Sequence, residues 1–244
     1  MFKAIKPKRI ADYIVEQIEN SIKRGELLPN SRLPSERELA RIFEVSRTSV
    51  REALNILQAK GLIVSTQGGG TFVRPLTDHL LDVDLKTFIK DDPALIWDLV
   101  EIRKNIELWA VRKACEAADE SDLEMLRDAF MDLYEDFMYQ RPDEQSDAEF
   151  HFSIIKATKN TVLMHMMSSI FKLLKDATNM GRHYEFEVRK LSREELLNEH
   201  REVFEAIMKR DPDLAYEKMK RHLSYIDEDF KSYLYKIYGK KRSS

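Results

Sequence analysis

The run from Leu33 to Val73 constrains this 244-residue chain more than any other, because it fits two short helices, a tight turn and a glycine-tipped hairpin into a short span. Pro34-Ser35-Glu36-Arg37-Glu38 has the form of a capping box, with Ser35 placed to accept from a first-turn amide and Glu38 to reach back to the amide of Ser35. Leu39, Ala40 and Phe43 give that first helix an inward face. After Glu44-Val45, Ser46 caps a second helix whose Val50, Ala53, Leu54 and Leu57 recur at i, i+3, i+4 and i+7. Arg47, Thr48 and Arg51 therefore point away from the core. Guanidinium forks and hydroxyls at the start of such a helix suit guanine edges and phosphates in a major groove. Gly61 ends the helix, Leu62-Ile63-Val64 predicts a strand, Gln67-Gly68-Gly69-Gly70 a turn, and Thr71-Phe72-Val73 the return strand. A turn of glycines lets backbone amides approach phosphates or a minor groove. The whole segment predicts a winged helix-turn-helix.

On its N-terminal side, Ile10, Ile14, Ile18 and Ile22 fall four apart with Ala11 and Val15 beside them, and Gly25 stops a helix over about 8–24. Five of the seven glycines lie in the first 70 residues; beyond Leu76 only Gly181 and Gly239 remain, which predicts an all-helical body. Seven body helices are expected, at about 78–90, 94–118, 121–140, 144–158, 161–182, 192–210 and 212–238. Pro93, Pro142, Pro212 and a capping box Ser121-Asp122-Leu123-Glu124 punctuate them. In the second, Leu95, Leu99, Ile102, Ile106 and Trp109 form one apolar stripe. The predicted fold is mainly α: a winged helix-turn-helix head with a small β-hairpin wing, residues 1–75, and a helical bundle of about seven helices, residues 76–244, with Pro75 at the hinge.

The overall charge of −3 conceals a division. Residues 1–75 carry 13 Lys and Arg against 8 Asp and Glu, whereas residues 76–244 carry 27 against 35. A basic head on an acidic body predicts that only the head meets nucleic acid. The single cysteine, Cys115, excludes an intrachain disulfide framework and sits in an apolar helical pattern, as a buried thiol would. Met1-Phe2-Lys3 leads into no apolar run and no stretch is long enough to span a bilayer, so a soluble cytoplasmic protein with no membrane partner is expected.

In the body, Asp147 and His151 are one turn apart and share a helix face. Alone, that spacing describes a surface salt bridge as readily as a ligand pair. His200 and His222 lie on two later helices. Metal sites in helix bundles draw inward-facing ligands from separate helices, and three imidazoles with one carboxylate suit zinc, nickel, manganese or iron. His79, His165 and His183 have no comparable partners and are expected to be core or surface residues.

The run LPSERELARIFEVSRTSVREALNILQAKGLIVSTQGGGTFV resembles the DNA-binding domain of the GntR family of bacterial transcription regulators. That resemblance implies DNA contacts from Arg37, Arg47, Thr48, Ser49 and Arg51, with Gln67, Gly68 and Gly69 in the wing. The body resembles the FCD effector-binding domain of the family's FadR branch. Its metal-binding members carry Asp-x-x-x-His, a later helix His and a last-helix His, which implies Asp147, His151, His200 and His222 as ligands. Glu101-Ile102-Arg103-Lys104-Asn105-Ile106-Glu107 resembles the family's arginine-bearing helix and implies Arg103 as an effector clamp; a salt bridge from Arg103 to Glu107 is equally open.

These expectations describe a ligand-responsive regulator and no enzyme. A homodimer on palindromic operator DNA, repressing as the family more commonly does, would hold one divalent transition metal per chain and respond to a small carboxylate such as a 2-hydroxy, 2-keto or sugar acid. One rival has the ion itself as the signal. Another, a hydrolase using metal-bound water, needs a general base that the sequence does not single out. A fatty acyl-CoA effector gains nothing from a charged ion in its pocket.

Overall fold

The computed structural model describes residues 9–66, 69–75, 92–141, 144–188 and 190–241, and the chain divides into two compact units, Met1–Leu81 and Asp82–Ser244. The predicted helix 78–90, His79, and wing residues Gln67 and Gly68 lie outside the described residues, as does the side chain of His183.

In the first unit, α1 (Ile10–Lys23), α2 (Glu36–Ile42) and α3 (Arg47–Ala59) precede a hairpin of β1 (Ile63–Thr66) and β2 (Gly70–Val73). Ile14, Ile18, Leu39, Val50, Leu54, Leu57, Ile63 and Val73 close one core. Ile10 is 54% exposed: residues four apart drift about 40° per step round a 3.6-residue helix, so three steps carry it out of the face of Ile22. The capping box on α2 is formed, with the Glu38 amide donating to Ser35 Oγ at 3.3 Å and the Ser35 amide to Glu38 Oε2 at 2.8 Å. Ser46 Oγ accepts from the Ser49 amide at 3.1 Å to start α3. The antiparallel wing pairs Ile63 with Val73 and Thr66 with Gly70. The Leu33 amide donates to Thr71 O on the hairpin at 2.8 Å, so the segment entering α2 braces the wing.

The second unit contains α4 (Pro93–Ala117), α5 (Glu120–Met138), α6 (Glu144–Ala157), α7 (Thr161–His183) with a π-helical turn at Tyr184–Val188, α8 (Arg193–Met208), α9 (Pro212–His222), a 3-10 turn at Leu223–Tyr225, and α10 (Glu228–Lys241). Helix α4 packs against α6, α7, α8, α9 and α10. No helix among the described residues is long and apolar enough to cross a membrane.

Three expectations for this unit are corrected. The stripe on α4 does not face the core as a whole: Leu95, Ile102 and Trp109 are 37%, 46% and 46% exposed, while Ile96, Val100, Arg103, Glu107, Ala110 and Ala114 are buried. The expected last helix is two, because Asp227 caps α10 through the Phe230 amide at 2.9 Å and Lys104 Nζ donates to Ile226 O at 2.7 Å, fixing a break just past His222. The cap of α5 is Asp119 with Asp122, not Ser121 with Glu124; Ser121 Oγ donates to Asp119 Oδ1 at 2.7 Å.

Candidate functional site

In the first unit, Arg37, Arg47, Thr48, Arg51 and Gly69 are exposed and Ser49 is half-buried against its cap. Packing Val50, Ala53, Leu54 and Leu57 inward leaves the N-terminal turns of α3 presenting Arg47, Thr48 and Arg51 outward. Glu36, which the sequence pattern did not single out, accepts from Arg51 Nε at 3.2 Å and Nη2 at 2.9 Å, and lies 3.7 Å from Arg47 Nη2. The hydrogen bond from Arg51 holds the Glu36 carboxyl below the usual range.

In the second unit the structure brings His151 from α6, His200 from α8 and His222 from α9 together, each buried, with one ring nitrogen per residue all within 4.8 Å of one another. Asp147, one turn before His151 on α6, adjoins them through Oδ1, 3.0 Å from His200 Nε2. Both α6 residues are buried, so their spacing is not that of a surface pair. His222 is the last residue of α9, immediately before the break at which Lys104 and Asp227 make their contacts.

Each histidine has an oxygen behind its Nδ1. His151 Nδ1 is 2.7 Å from Glu107 Oε2, His200 Nδ1 is 2.9 Å from Leu196 O, and His222 Nδ1 is 3.3 Å from Glu199 Oε2. A carbonyl only accepts, so His200 carries a proton on Nδ1, and its Nε2 faces Asp147 Oδ1. That 3.0 Å contact is satisfied either by a proton on Nε2 or by a cation that both atoms approach. His200 Nε2, His151 Nδ1 and Glu107 Oε2 are fully buried without a well-angled hydrogen bond, short as the last two atoms' separation is. His151 Nε2 and His222 Nε2 also face each other at 3.2 Å. Ring nitrogens converging with an oxygen behind each opposite nitrogen are the pattern of metal-binding imidazoles. The donor set therefore fits a borderline divalent transition ion.

Arg103 lies on the buried face of α4 and reaches Glu107 through Nε, 2.5 Å from Oε1, with its guanidinium 5.1 Å from the centroid of Phe171. The salt bridge left open by the sequence is thus formed, but in the interior. Glu107 bridges Arg103 with one oxygen and His151 with the other. Burial pushes its carboxyl up, yet Arg103 and His151 outweigh burial and hold it down at about 2. Burial, then the neighbouring rings of His200 and His151, push His222 well below the ordinary imidazole range. Glu107 and Glu199 were missed as members of the site, although each sits beside a named residue: Glu107 one turn after Arg103 and Glu199 next to His200. His165 is buried and burial lowers its pKa. A small pocket lined by Leu133, Phe137, Asp147, Arg193, Leu196, Leu197 and His200 reaches the cluster between α5 and α8.

Comparison with known proteins gives two family matches: bacterial regulatory proteins of the gntR family over residues 10–73, and the FCD domain over residues 98–225. An Escherichia coli K12 protein named for regulation of the L-lactate dehydrogenase operon is 32% identical over 93% of this chain and 88% of its own length. The Bacillus subtilis regulator LutR is 30% identical over 87% of this chain and 97% of its own, and the E. coli K12 galactonate operon transcriptional repressor 30% over 84% and 89%. A solved Streptococcus agalactiae GntR structure is 22% identical and shares the fold, with a TM-score of 0.53 over 88% of this chain and 98% of that one.

Proposed function

This chain belongs to the bacterial GntR regulators that carry an FCD domain, and from that premise we propose that it is a ligand-responsive repressor acting in the cytoplasm. Regulating transcription by binding DNA, rather than catalysis, is the activity of this family. Residues 1–75 form the DNA-binding domain and residues 76–244 the effector-binding and dimerisation domain. Arg37, Arg47, Thr48, Ser49 and Arg51 contact operator DNA, with Gln67, Gly68 and Gly69 of the wing. A recognition helix as short as α3 reads only a few base pairs, so a homodimer on a palindromic operator supplies the specificity one head lacks.

Asp147, His151, His200 and His222 hold one divalent ion per chain. The observation that carries this reading is the convergence of one nitrogen from each of three buried imidazoles, with Asp147 beside them and an oxygen behind each Nδ1. Such an ion, when bound, offers the coordination positions left by four protein ligands to the oxygens of a small acid. Arg103 would hold the remaining carboxylate oxygen; it shares Glu107 with His151, and that carboxylate keeps the buried guanidinium charge paired. One relative is named for the L-lactate dehydrogenase operon and another for the galactonate operon; L-lactate and galactonate are both 2-hydroxy acids, and a 2-hydroxy acid presents two adjacent oxygens for chelation. Sugar acids and 2-keto acids share that feature. The deep burial of all three histidines favours a resident ion over one that exchanges as a signal.

Elemental analysis of chelator-free protein tests the metal. About one divalent ion per chain is expected, with His200→Ala and His222→Ala each lowering both metal content and body stability. Full occupancy in both variants would overturn the ligand set. In a thermal-shift panel, an acid that binds only the folded state at about 100 times its dissociation constant stabilises by roughly 2.7 kcal/mol. That shift should vanish after metal removal and in Arg103→Ala.

A further inference from the structure

We propose that Glu36 is a specificity-determining residue of the DNA interface, a positioning residue that fixes the guanidinium of Arg51 for reading a base. The inference rests on the reading of α3 as the recognition helix with Arg51 as a base contact. Glu36 is the first residue of α2, and its carboxylate spans 15 positions of sequence to grip Arg51 at Nε and Nη2. A guanidinium has five N–H donors in a rigid plane. Engaging Nε and one Nη2 hydrogen occupies one edge of that plane and leaves the Nη1/Nη2 end, the fork that matches O6 and N7 of guanine. With one edge clamped, the long side chain is held in a single plane before DNA arrives, and less rotamer freedom remains to be lost on contact. The same Oε2 lies 3.7 Å from Arg47 Nη2, so one carboxylate braces two of the exposed arginines.

The plainer role for Glu36 is an acid in the first turn of a helix, favoured by the helix dipole. That role is already served by Glu38, which closes the capping box with Ser35, and it requires no contact with α3. A carboxylate among DNA-facing arginines also repels phosphates and so weakens binding to any duplex. Its placement there is accounted for by what it does to Arg51. Removing it should therefore move two quantities in opposite directions: discrimination between sequences falls, and affinity for arbitrary DNA holds or rises.

The test is selection from a pool of random-sequence duplexes by the full-length protein and by the E36Q and R51A variants, together with affinities for one scrambled duplex at fixed salt. The native protein should enrich a palindromic motif, and R51A should lose the preference at one base pair of each half-site by about 5- to 150-fold. E36Q should lose preference at that same base pair while binding the scrambled duplex as well as the native protein or better. E36D, one methylene shorter, should fall between the two. The proposal is overturned if E36Q enriches the native motif undiminished, if it loses affinity equally for every duplex, or if R51A leaves the motif unchanged. If the native protein itself enriches no motif, the reading of the head as a sequence-specific interface fails, and the Glu36 proposal with it.

Discussion

At the scale of single residues, the decisive group is a carboxylate that the sequence hid. Glu107 lies four residues from Arg103, a spacing that on most helices describes a solvated pair, and nothing local distinguishes a buried pair from an exposed one. In the structure both are almost fully buried and Glu107 also backs His151, so one residue joins the proposed effector clamp to a proposed metal ligand. Glu107→Gln keeps the shape but leaves Arg103 without its counter-charge and His151 with a weaker acceptor. Partners of this kind typically account for about 10- to 100-fold in metal affinity. A competition titration with a metal-binding dye should show a loss in that range for Glu107→Gln, and an affinity equal to that of the native protein would remove Glu107 from the site. The histidines themselves were legible, because three imidazoles and an aspartate on inward helix faces are a recognisable ligand set; the oxygens that orient them were not, since one is a backbone carbonyl and two are ordinary-looking glutamates.

At the scale of elements, what was legible was local. Both caps of the helix-turn-helix follow from residues within a few positions of one another and form as the sequence implies, while the hairpin's strands run closer to the glycine turn than expected, β1 to Thr66 and β2 from Gly70. What was not legible depends on distant neighbours. Helix α4 is packed on by several other helices, so its buried face is chosen by them, and the apolar residues at Leu95, Ile102 and Trp109 end up outside. The break after His222 contains neither glycine nor proline; it is held by Lys104, 122 residues away, and by a cap from Asp227 that acidic residues in the following turn foreshadow. The wing offers a test of local geometry. Gly70 has φ +113°, a conformation L side chains rarely adopt, and an added Cβ there would lie 2.7 Å from Arg32 Nε. A Cβ at Gly69 would overlap Thr66 Oγ1, but no positive φ is required there, so turning the Thr66 side chain relieves the overlap at the cost of its hydrogen bond to Gly70 O. Gly70→Ala should therefore strain the wing by about 1–2 kcal/mol, and Gly69→Ala by less. Hydrogen exchange at the Thr66 and Phe72 amides checks the order, and equal protection in the two variants would contradict it.

At the scale of the whole molecule, charge is divided between a basic N-terminal third and an acidic remainder, and the family assignment gives that division its meaning. Phosphate contacts from the head release counterions, so log affinity for DNA should fall linearly and steeply with log salt. A nearly flat dependence would be incompatible with an interface built on Arg37, Arg47 and Arg51. The effector can alter DNA binding only by its differential affinity for the free and DNA-bound arrangements, and couplings of this kind are typically about 1–3 kcal/mol, or roughly 5- to 150-fold. The most direct measurement is the affinity of the full-length, metal-replete protein for a duplex enriched from a random pool, by fluorescence anisotropy, with and without L-lactate, galactonate and related 2-hydroxy acids, repeated after chelation. At least one acid should shift that affinity within this range, and chelation or Arg103→Ala should abolish the shift. An affinity that no such acid changes, or a shift that survives removal of the metal, would contradict the metal-dependent effector reading.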